Sequence, residues 1–345
     1  MASLKLGTES GECQIHLNGN LSNCLNLTSS RKSVIITDHN VAELHGSSFP
    51  DVSIIKIRNG EQYKTLSTIH FLYNQFMNLG VDRSFFIIAI GGGVLLDIAG
   101  FAATTFMRGV DFGFIPSTLL AMVDASIGGK NGVNINGFKN LAGTFNQPKF
   151  ILYDLNLLKT LSEHEFNNGM AEVIKHAAIK SLAYIEFLKA NAYEIKSKQP
   201  DTLTEMIKRS IKIKTEIVES DEKESGRRRL LNFGHTFGHA IEKTTLLSHG
   251  ESVAVGMIMA AQLSHNLGRL EVTDLKRLKS LLRTFALPIK VDANKKAIFD
   301  AVTQDKKKIG ENVAFILLTK LGEAVIQEIP YSVLKTAIEK WNSFL

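Results

Sequence analysis

Residues 85–90 (FFIIAI) run apolar without a break, meet Gly91-Gly92-Gly93, and open directly into a helical pattern over residues 94–106. A strand apolar at every position is buried on both faces, as in a parallel sheet covered by helices. A glycine turn at a helix N-terminus presents backbone N–H groups, and the helix dipole favours negative charge there. The dinucleotide fingerprint asks for glycine at its first, third and sixth positions. Here the sixth is Leu96, so the fingerprint is broken, and a structural strand-to-helix turn stands beside nucleotide binding as a reading. The glycines and the following Asp97 also keep the run short of the roughly 18 apolar residues that a membrane helix needs.

Two further apolar runs precede this one, residues 33–37 (SVIIT) and 52–57 (VSIIKI). Between the second and third, Leu66, Ile69, Phe71, Leu72, Phe76 and Leu79 fall mostly at helical spacing over residues 63–79, and Gly80 stops the pattern. Strand, helix and strand with short connections predict βαβ units. After about residue 155 the pattern turns helical, over 163–190, 202–219, 234–244, 253–267 and 274–285, with a late hairpin over 313–318 and 324–328 around Leu321-Gly322-Glu323. The expected organisation is an α/β Rossmann-like N-terminal domain, 1–155, and a mostly α-helical C-terminal domain, 156–345. Two domains also suit the length of 345 residues.

Composition narrows the class. Hydrophobic residues make up 44% and charged residues 21%, enough to bury a core, which excludes a disordered tail protein. Cys13 and Cys24 are too few for a disulfide framework, and no CxxC clip occurs. With no apolar segment near the N-terminus that resembles a secretory signal, the expectation is a soluble, cytoplasmic protein. The net charge of +6 includes two tight basic runs, Arg227-Arg228-Arg229 and Lys306-Lys307-Lys308. Such runs attract nucleic acid, membrane surfaces or small anions, or form a solvated face. The glycine loops favour small anions, so neither nucleic acid nor a membrane is an expected partner.

Three constellations could carry chemistry. Gly128-Gly129-Lys130 follows Asp124 and precedes Gly132, Asn134, Lys139 and Asn140, a set suited to cradling phosphate, although it lacks Walker spacing and a tight surface turn would also explain it. His235 and His239 sit four apart in NFGHTFGHAIE, His249 follows in SHGES, and Glu172 and His176 share the four-residue spacing in MAEVIKHA. A carboxylate with two imidazoles is a common catalytic zinc set. Spacing does not say which histidines bind; helix geometry alone favours His235 with His239. Lys214, Glu224, Arg228 and Asn232 precede these histidines. A planar guanidinium and an amide suit a carboxylate, and a charged helix face is the plain alternative.

Taken together, the segments ITDHNV, GEQYKT, IAIGGGVLLDIAGFAATTFMRG, IPSTLLAMVDASIGGKNGVN, FKNLAGTFNQP, NGMAEVIKHA, RRRLLNFGHTFGHAIE, HGESVAVGM and DKKKIG resemble, in order from about residue 34 to 318, the 3-dehydroquinate synthase family of sugar-phosphate cyclases. The resemblance implies a dehydroquinate synthase-like fold related to that of glycerol dehydrogenases. By residue it implies NAD contacts at Asp38, Asn40, Glu61, Lys64, Gly91, Gly92, Gly93, Val94, Asp97, Ser117, Thr118, Lys139 and Thr160. It implies zinc or cobalt ligands at Glu172, His235 and His249, which replaces the His235–His239 pairing and leaves His176 a helix neighbour. Substrate contacts fall on Asp124, Lys130, Asn140, Lys175, Lys214, Glu224, Arg228, Asn232 and Lys306, with Lys307 as an alternative to Lys306. Of these Lys130, Lys175, Lys214, Arg228 and Asn232 are read as catalytic, together with His239 as substrate contact and proton relay. Arg108 matches an arginine that reaches the phosphate from a neighbouring subunit, which implies a homodimer. Leu96, Ser117 and Phe138 depart from the family pattern, where glycine, threonine and glycine are usual.

The implied activity converts 3-deoxy-D-arabino-heptulosonate 7-phosphate, a phosphorylated sugar acid, to 3-dehydroquinate and phosphate in the shikimate pathway of aromatic amino acid biosynthesis, with NAD used catalytically. A cyclase of the 2-deoxy-scyllo-inosose or valiolone type competes, but Arg228 and Asn232 would lack their carboxylate. A metal-dependent polyol dehydrogenase also competes, and the phosphate cradle argues against it. A non-catalytic NAD-sensing or nucleic-acid-binding protein is opposed by the metal trio.

Overall fold

The structure, a computed structural model, describes residues 2–304 and 311–341. The chain divides into two compact units, Met1–Ser162 and Glu163–Leu345.

The first unit contains β1 (Ala2–Thr8), β2 (Gly11–Leu17), β3 (Ser33–Asp38), α1 (His39–His45), β4 (Ser53–Ile57), α2 (Leu66–Asn78), β5 (Phe86–Gly91), α3 (Gly93–Thr105), β6 (Asp111–Pro116), β7 (Lys130–Ile135), β8 (Phe138–Phe145) and β9 (Phe150–Leu152). Seven strands form one sheet in the order β1-β2-β9-β6-β5-β3-β4. Only the β1–β2 pair is antiparallel. In register, Ile35 faces Ile88, and Ile88 faces Gly113. β3 and β5 are buried at every residue, as their unbroken apolar runs require, whereas β4 at the sheet edge is exposed at alternate and outer positions. One face of the sheet packs Ile35, Ile88, Ile90, Ile115, Phe150 and Leu157 with Leu21 and Cys24 from a preceding turn. Phe86 and Phe150 stack with ring centroids 5.5 Å apart. Both cysteines are free and buried, and burial pushes the Cys24 thiol up to about 11, so it packs as a small apolar group. β7 and β8 form a separate antiparallel hairpin.

Sequence patterning anticipates β3, β4, β5, α2 and α3. It does not identify the β1–β2 hairpin, β6, the β7–β8 hairpin or β9. The helix expected over 63–79 begins later, because Thr65 caps it by accepting a hydrogen bond from Thr68 N at 3.3 Å, and Glu61–Tyr63 is a separate 3-10 turn. Leu96 is fully buried; α3 makes its close approaches at Gly93, where a Cβ would lie 2.9 Å from that of Ala125, and at Gly100, where it would strike the Asn131 side chain.

The second unit contains α4 (Glu163–Lys180), α5 (Leu182–Ala190), α6 (Ala192–Lys196), α7 (Pro200–Ser220), α8 (His235–Thr244), α9 (His249–Asn266), α10 (Val272–Thr284), α11 (Lys295–Gln304), β10 (Asn312–Lys320), β11 (Glu323–Pro330) and α12 (Tyr331–Glu339). The single helix expected over 163–190 is two. Ser181 caps α5 by accepting from Tyr184 N at 3.2 Å, and Gly322 N, in the β10–β11 turn, donates to Ala178 O at 2.8 Å. The break is therefore set by a hairpin turn far along the chain. α9 is buried continuously from Ser252 to Ala261, so it is a core helix rather than an amphipathic surface one. Among the described residues no helix is long and apolar enough to cross a membrane.

Candidate active site

In the first unit β3 and β5 are neighbours, but the chain leaves β3 for β4 on one side and β5 for β6 on the other. Ligands of open α/β sheets bind beyond the carboxyl ends of strands at such a switch point. Asp38 ends β3 and caps α1, accepting from Val41 N at 2.9 Å; burial raises its carboxyl above the ordinary range. Asn40 is exposed in α1. Gly91 ends β5, Gly92 caps α3 without a side chain, and Gly93, Val94 and Asp97 form its first turns. Ser117 N donates to Gly91 O at 2.9 Å, and a Cβ at Gly92 would lie 3.3 Å from Thr118 Cγ2. The opening of α3 thus has bare N–H groups and no room for a side chain, the properties of an anion cradle. Thr160 lies 2.8 Å from the His45 ring at the far end of α1.

Four of the expected residues share a network beside this turn. Lys64 is buried, with Nζ 2.5 Å from Asp97 Oδ2 and bonded to Asn140 Oδ1. Asn140 N donates to Asn134 Oδ1 at 2.8 Å, and Asn134 Nδ2 donates to Glu61 Oε1 at 2.8 Å. Lys139 is exposed beside Asn140 on β8, and Lys130 is the exposed first residue of β7. Asp124 lies in a π-turn, Ala121–Ala125. Arg108 is exposed and follows Met107 in the left-handed region, with φ of 66° and 50°. Among the described residues it forms no ion pair.

In the second unit the ligating atoms of Glu172, His235 and His249 all lie within 4.8 Å of one another. Glu172 is fully buried on α4; His235 opens α8 and His249 opens α9. Glu172 Oε1 is 3.5 Å from His235 Nε2 and 3.6 Å from His249 Nε2. Metal–ligand bonds of about 2.0–2.1 Å in a tetrahedron put ligand atoms about 3.3 Å apart. The cluster is therefore spaced for one shared cation, and buried Glu172 Oε1 has no hydrogen-bond partner of its own. Glycine makes the approach possible. A Cβ on Gly256 would fall 2.1 Å from Gly234 O, and one on Gly234, whose φ is 80°, would fall 2.8 Å from Met257 N. α8 and α9 consequently cross almost backbone to backbone, and across that crossing the rings of His235 and His249 lie 5.7 Å apart.

The electrostatics suit a cation. Burial pushes the Glu172 carboxyl up, but Lys175 in direct contact, then His235 and His249, outweigh it and hold the group well below the usual carboxylate range. Burial drives the His235 ring down to about 3, leaving it neutral, and its Nδ1 faces Phe233 O at 3.2 Å. Burial also lowers His249, but Glu172 and Glu242 outweigh it and hold the ring up at about 9. Glu242 Oε2 lies 3.3 Å from His249 Nδ1, the carboxylate partner that orients a metal-binding imidazole. Sequence reasoning missed Glu242, although His235, His239 and Glu242 fall at i, i+4 and i+7 of one helix face. The His239 ring is 5.1 Å from that of His235 but is not among the atoms gathered at Glu172.

Arg228 is buried in a 3-10 turn, Arg227–Asn232, and bonds Glu222 O. Asn232 Nδ2 bonds Glu224 Oε1, and Glu224 itself has φ of 60°. Asp221 organises the turn by accepting from Ser225 N, Gly226 N and Arg228 N at 3.0, 2.8 and 2.9 Å. Burial works against its charge, yet these donors hold the carboxyl down at about 2. Lys175 and Lys214 are buried on α4 and α7. Lys306 and Lys307 lie outside the described residues.

A seven-stranded α/β unit followed by a helical unit that buries a carboxylate between two imidazoles defines the dehydroquinate synthase-like fold. The sequence matches the 3-dehydroquinate synthase N-terminal family over residues 54–168 and the 3-dehydroquinate synthase C-terminal family over residues 169–308. It is 45% identical over 284 residues to the 3-dehydroquinate synthase of Campylobacter jejuni subsp. doylei, covering 80% of this chain and 81% of that protein. The fold is similar to that of the 2-epi-5-epi-valiolone synthase of Streptomyces hygroscopicus subsp. jinggangensis with NAD+ and Zn2+ bound (TM-score 0.87, 25% identity, 100% of this chain and 99% of that one). It is also similar to a 2-deoxy-scyllo-inosose synthase complexed with carbaglucose-6-phosphate, NAD+ and Co2+ (TM-score 0.85, 26% identity, 98% and 100%). The chain belongs to the 3-dehydroquinate synthase family.

Proposed function

We propose that this chain is the lyase that converts 3-deoxy-D-arabino-heptulosonate 7-phosphate to 3-dehydroquinate and phosphate, with NAD and a divalent metal as cofactors. The observation that carries the reading is the Glu172–His235–His249 cluster, with its carboxylate fully buried, in a chain of this family. The glycine opening of α3 and the residues around it, in an NAD-binding domain read as 1–155, are the proposed seat of NAD. The metal cluster belongs to the helical domain, 156–345.

When bound, NAD supplies a hydride acceptor that is restored within the cycle, and zinc or cobalt at Glu172, His235 and His249 supplies Lewis acidity. That chemistry would allow transient oxidation of the substrate's C5 hydroxyl, which would acidify the C6 proton for β-elimination of phosphate before C5 is reduced again and the opened ring closes by an intramolecular aldol step. The side chains divide the substrate between them. Arg228 and Asn232 hold the carboxylate, and their turn is already fixed by Asp221. Lys130 and Asn140 hold the phosphate, joined by Arg108 across a homodimer. Asp124, Lys175, Lys214, Glu224 and Lys306 complete the substrate contacts. His239, exposed on α8, moves protons to and from substrate hydroxyls. Burial of Lys175, Lys214 and Arg228 suits a substrate with two anionic groups.

The same reading makes the protein a cytoplasmic homodimer without nucleic-acid or membrane partners. Exposed Phe138, Leu141 and Phe145 on β8, at 63%, 65% and 44%, support a self-association surface on the first unit. The test of function is phosphate release from the sugar acid phosphate with NAD, with and without a chelator. Chelator-sensitive release with 3-dehydroquinate formed and no net NADH is expected. Absence of release by folded, metal-loaded protein would redirect the reading to carboxylate-free sugar phosphates.

A further inference from the structure

The metal ligands sit on three helices, and the gap between Glu172 and His249 depends on how α4 meets α9. One side chain bridges the two helices there. Asn168 lies one turn before Glu172 on α4, on the same face, and is 7% exposed. Its Oδ1 accepts a hydrogen bond from Gly250 N at 3.1 Å and lies 2.6 Å from the Ser248 hydroxyl. Ser248 and Gly250 flank His249 on either side. The hydroxyl is also 2.7 Å from Glu251 Oε2, so its single proton serves two acceptors, whereas Gly250 N has Asn168 as its acceptor. The first N–H groups of any helix lack intrahelical partners. Here one is satisfied from a different helix, which converts a helix end into an interhelical lock.

The lock is close. A Cβ on Gly250 would lie 2.4 Å from Asn168 O and 2.6 Å from Asn168 Cα, so the first turn of α9 rests on the backbone of α4. One turn further along α4, Glu172 Oε1 meets His249 Nε2 at 3.6 Å. Glu251 caps α9 independently through Ser248 N at 2.8 Å, so the helix has an N-terminal cap without Asn168. Asn168 therefore does more than terminate a helix.

We propose that Asn168 is a positioning residue for the metal site: by holding Ser248 and Gly250 it sets the distance and direction from which His249 faces Glu172. The inference rests on the metal reading of Glu172, His235 and His249, and deepens it by naming a residue that acts through His249 without touching the ion. Partners behind metal ligands typically cost 10- to 100-fold in metal affinity when removed.

The experiment is Co2+ binding by chelator-stripped protein, read as a dissociation constant by competition with a chromophoric chelator and as the visible absorption of the bound ion. Asn168→Ala is expected to weaken Co2+ about tenfold or more and to alter the band pattern, with far-ultraviolet circular dichroism and NAD affinity unchanged. Asn168→Asp keeps the acceptor oxygen and is expected to restore affinity to within a few-fold of wild type. A merely structural role would lower the melting temperature and leave the cobalt spectrum below melting as in wild type, which overturns the proposal. Equal losses in the alanine and aspartate variants overturn it too, because the acceptor would not be the operative feature. If Asn168→Ala fails to fold, Ser248→Ala breaks one arm of the lock and is read by the same spectrum, an unchanged spectrum again being the overturning result. His235→Ala separates the two levels. Retention of Co2+ by that variant overturns the metal reading and the positioning role together; its loss, with unchanged binding in Asn168→Ala, overturns the positioning role alone.

Discussion

The cradle of the first unit and the cluster of the second are made from opposite materials. At Gly92 and Gly93 the site is formed by leaving side chains out, so that backbone N–H groups stand bare at the opening of α3. At Glu172, His235 and His249 the site is formed by gathering imidazoles around a carboxylate whose full burial would be costly without a partner. The first kind of site tolerates changes in nearby polar groups but not added volume. The second tolerates little change in its charged groups, because each one shifts the ionisation of the others: Lys175 and the two histidines hold Glu172 down, while Glu172 and Glu242 hold His249 up.

The contrast can be broken at several strengths. His235→Ala carries the largest expected effect: metal content and phosphate release should fall together, turnover by about a hundredfold or more, while NAD affinity is unchanged. Metal analysis of the purified variant beside an NAD titration checks both halves; full metal loading with normal turnover would remove His235 from the ligand set. Arg228→Ala follows. If its buried guanidinium faces a substrate carboxylate, kcat/KM should drop by about 2–3 kcal/mol with metal content intact. An unchanged kcat/KM would return Arg228 to a structural role in its turn. Gly93→Ala tests the other material. A Cβ 2.9 Å from that of Ala125 must displace the start of α3, so NAD affinity should weaken by about tenfold, worth 1.4 kcal/mol, with Co2+ affinity untouched. Titration of both ligands on one preparation decides it.

The smallest effect concerns pH. Asp221 is held at about 2 in the folded chain against an ordinary value of 3.8. Its folded value is depressed, so its contribution is fully present above the ordinary carboxylate range and is lost as pH falls from about 4 towards 2. Asp221→Asn should therefore lower the urea midpoint at neutral pH and converge with wild type near pH 2. A constant difference between the two chains across that window would show that the carboxylate charge is not what the turn uses.

How much was legible in the sequence follows the range of the interactions involved. β3 and β5 announced themselves because a strand buried on both faces needs an unbroken apolar run. β2 did not: its buried residues are Cys13, Ile15 and Leu17, interleaved with Glu12, Gln14 and His16. The β7–β8 hairpin reads in sequence as a glycine- and amide-rich loop, since its strands stand apart from the seven-stranded sheet and leave β8 largely exposed. The break at Ser181 rests on Gly322, far away in sequence, and no local pattern carries it. At the site, helix spacing places His235 beside His239 but is silent about His249, which arrives only through the crossing of α8 and α9. The grouping of His249 with Glu172 comes from family resemblance, whereas the helical period that joins Glu242 to His235 and His239 is present in the sequence itself.

That crossing divides the chain by how freely each position could drift. Arg228 and Asn232 are proposed to meet the substrate, so a chain diverging towards another sugar phosphate has reason to exchange them and can do so without disturbing α8 or α9. Gly234, Gly238 and Gly256 meet no ligand in this reading, yet each has backbone atoms about 3 Å or less from where a Cβ would stand. A mutational scan would score them alongside the proposed metal ligands although they supply no reactive group. The most frozen positions of this protein are those where it has nothing to offer but space.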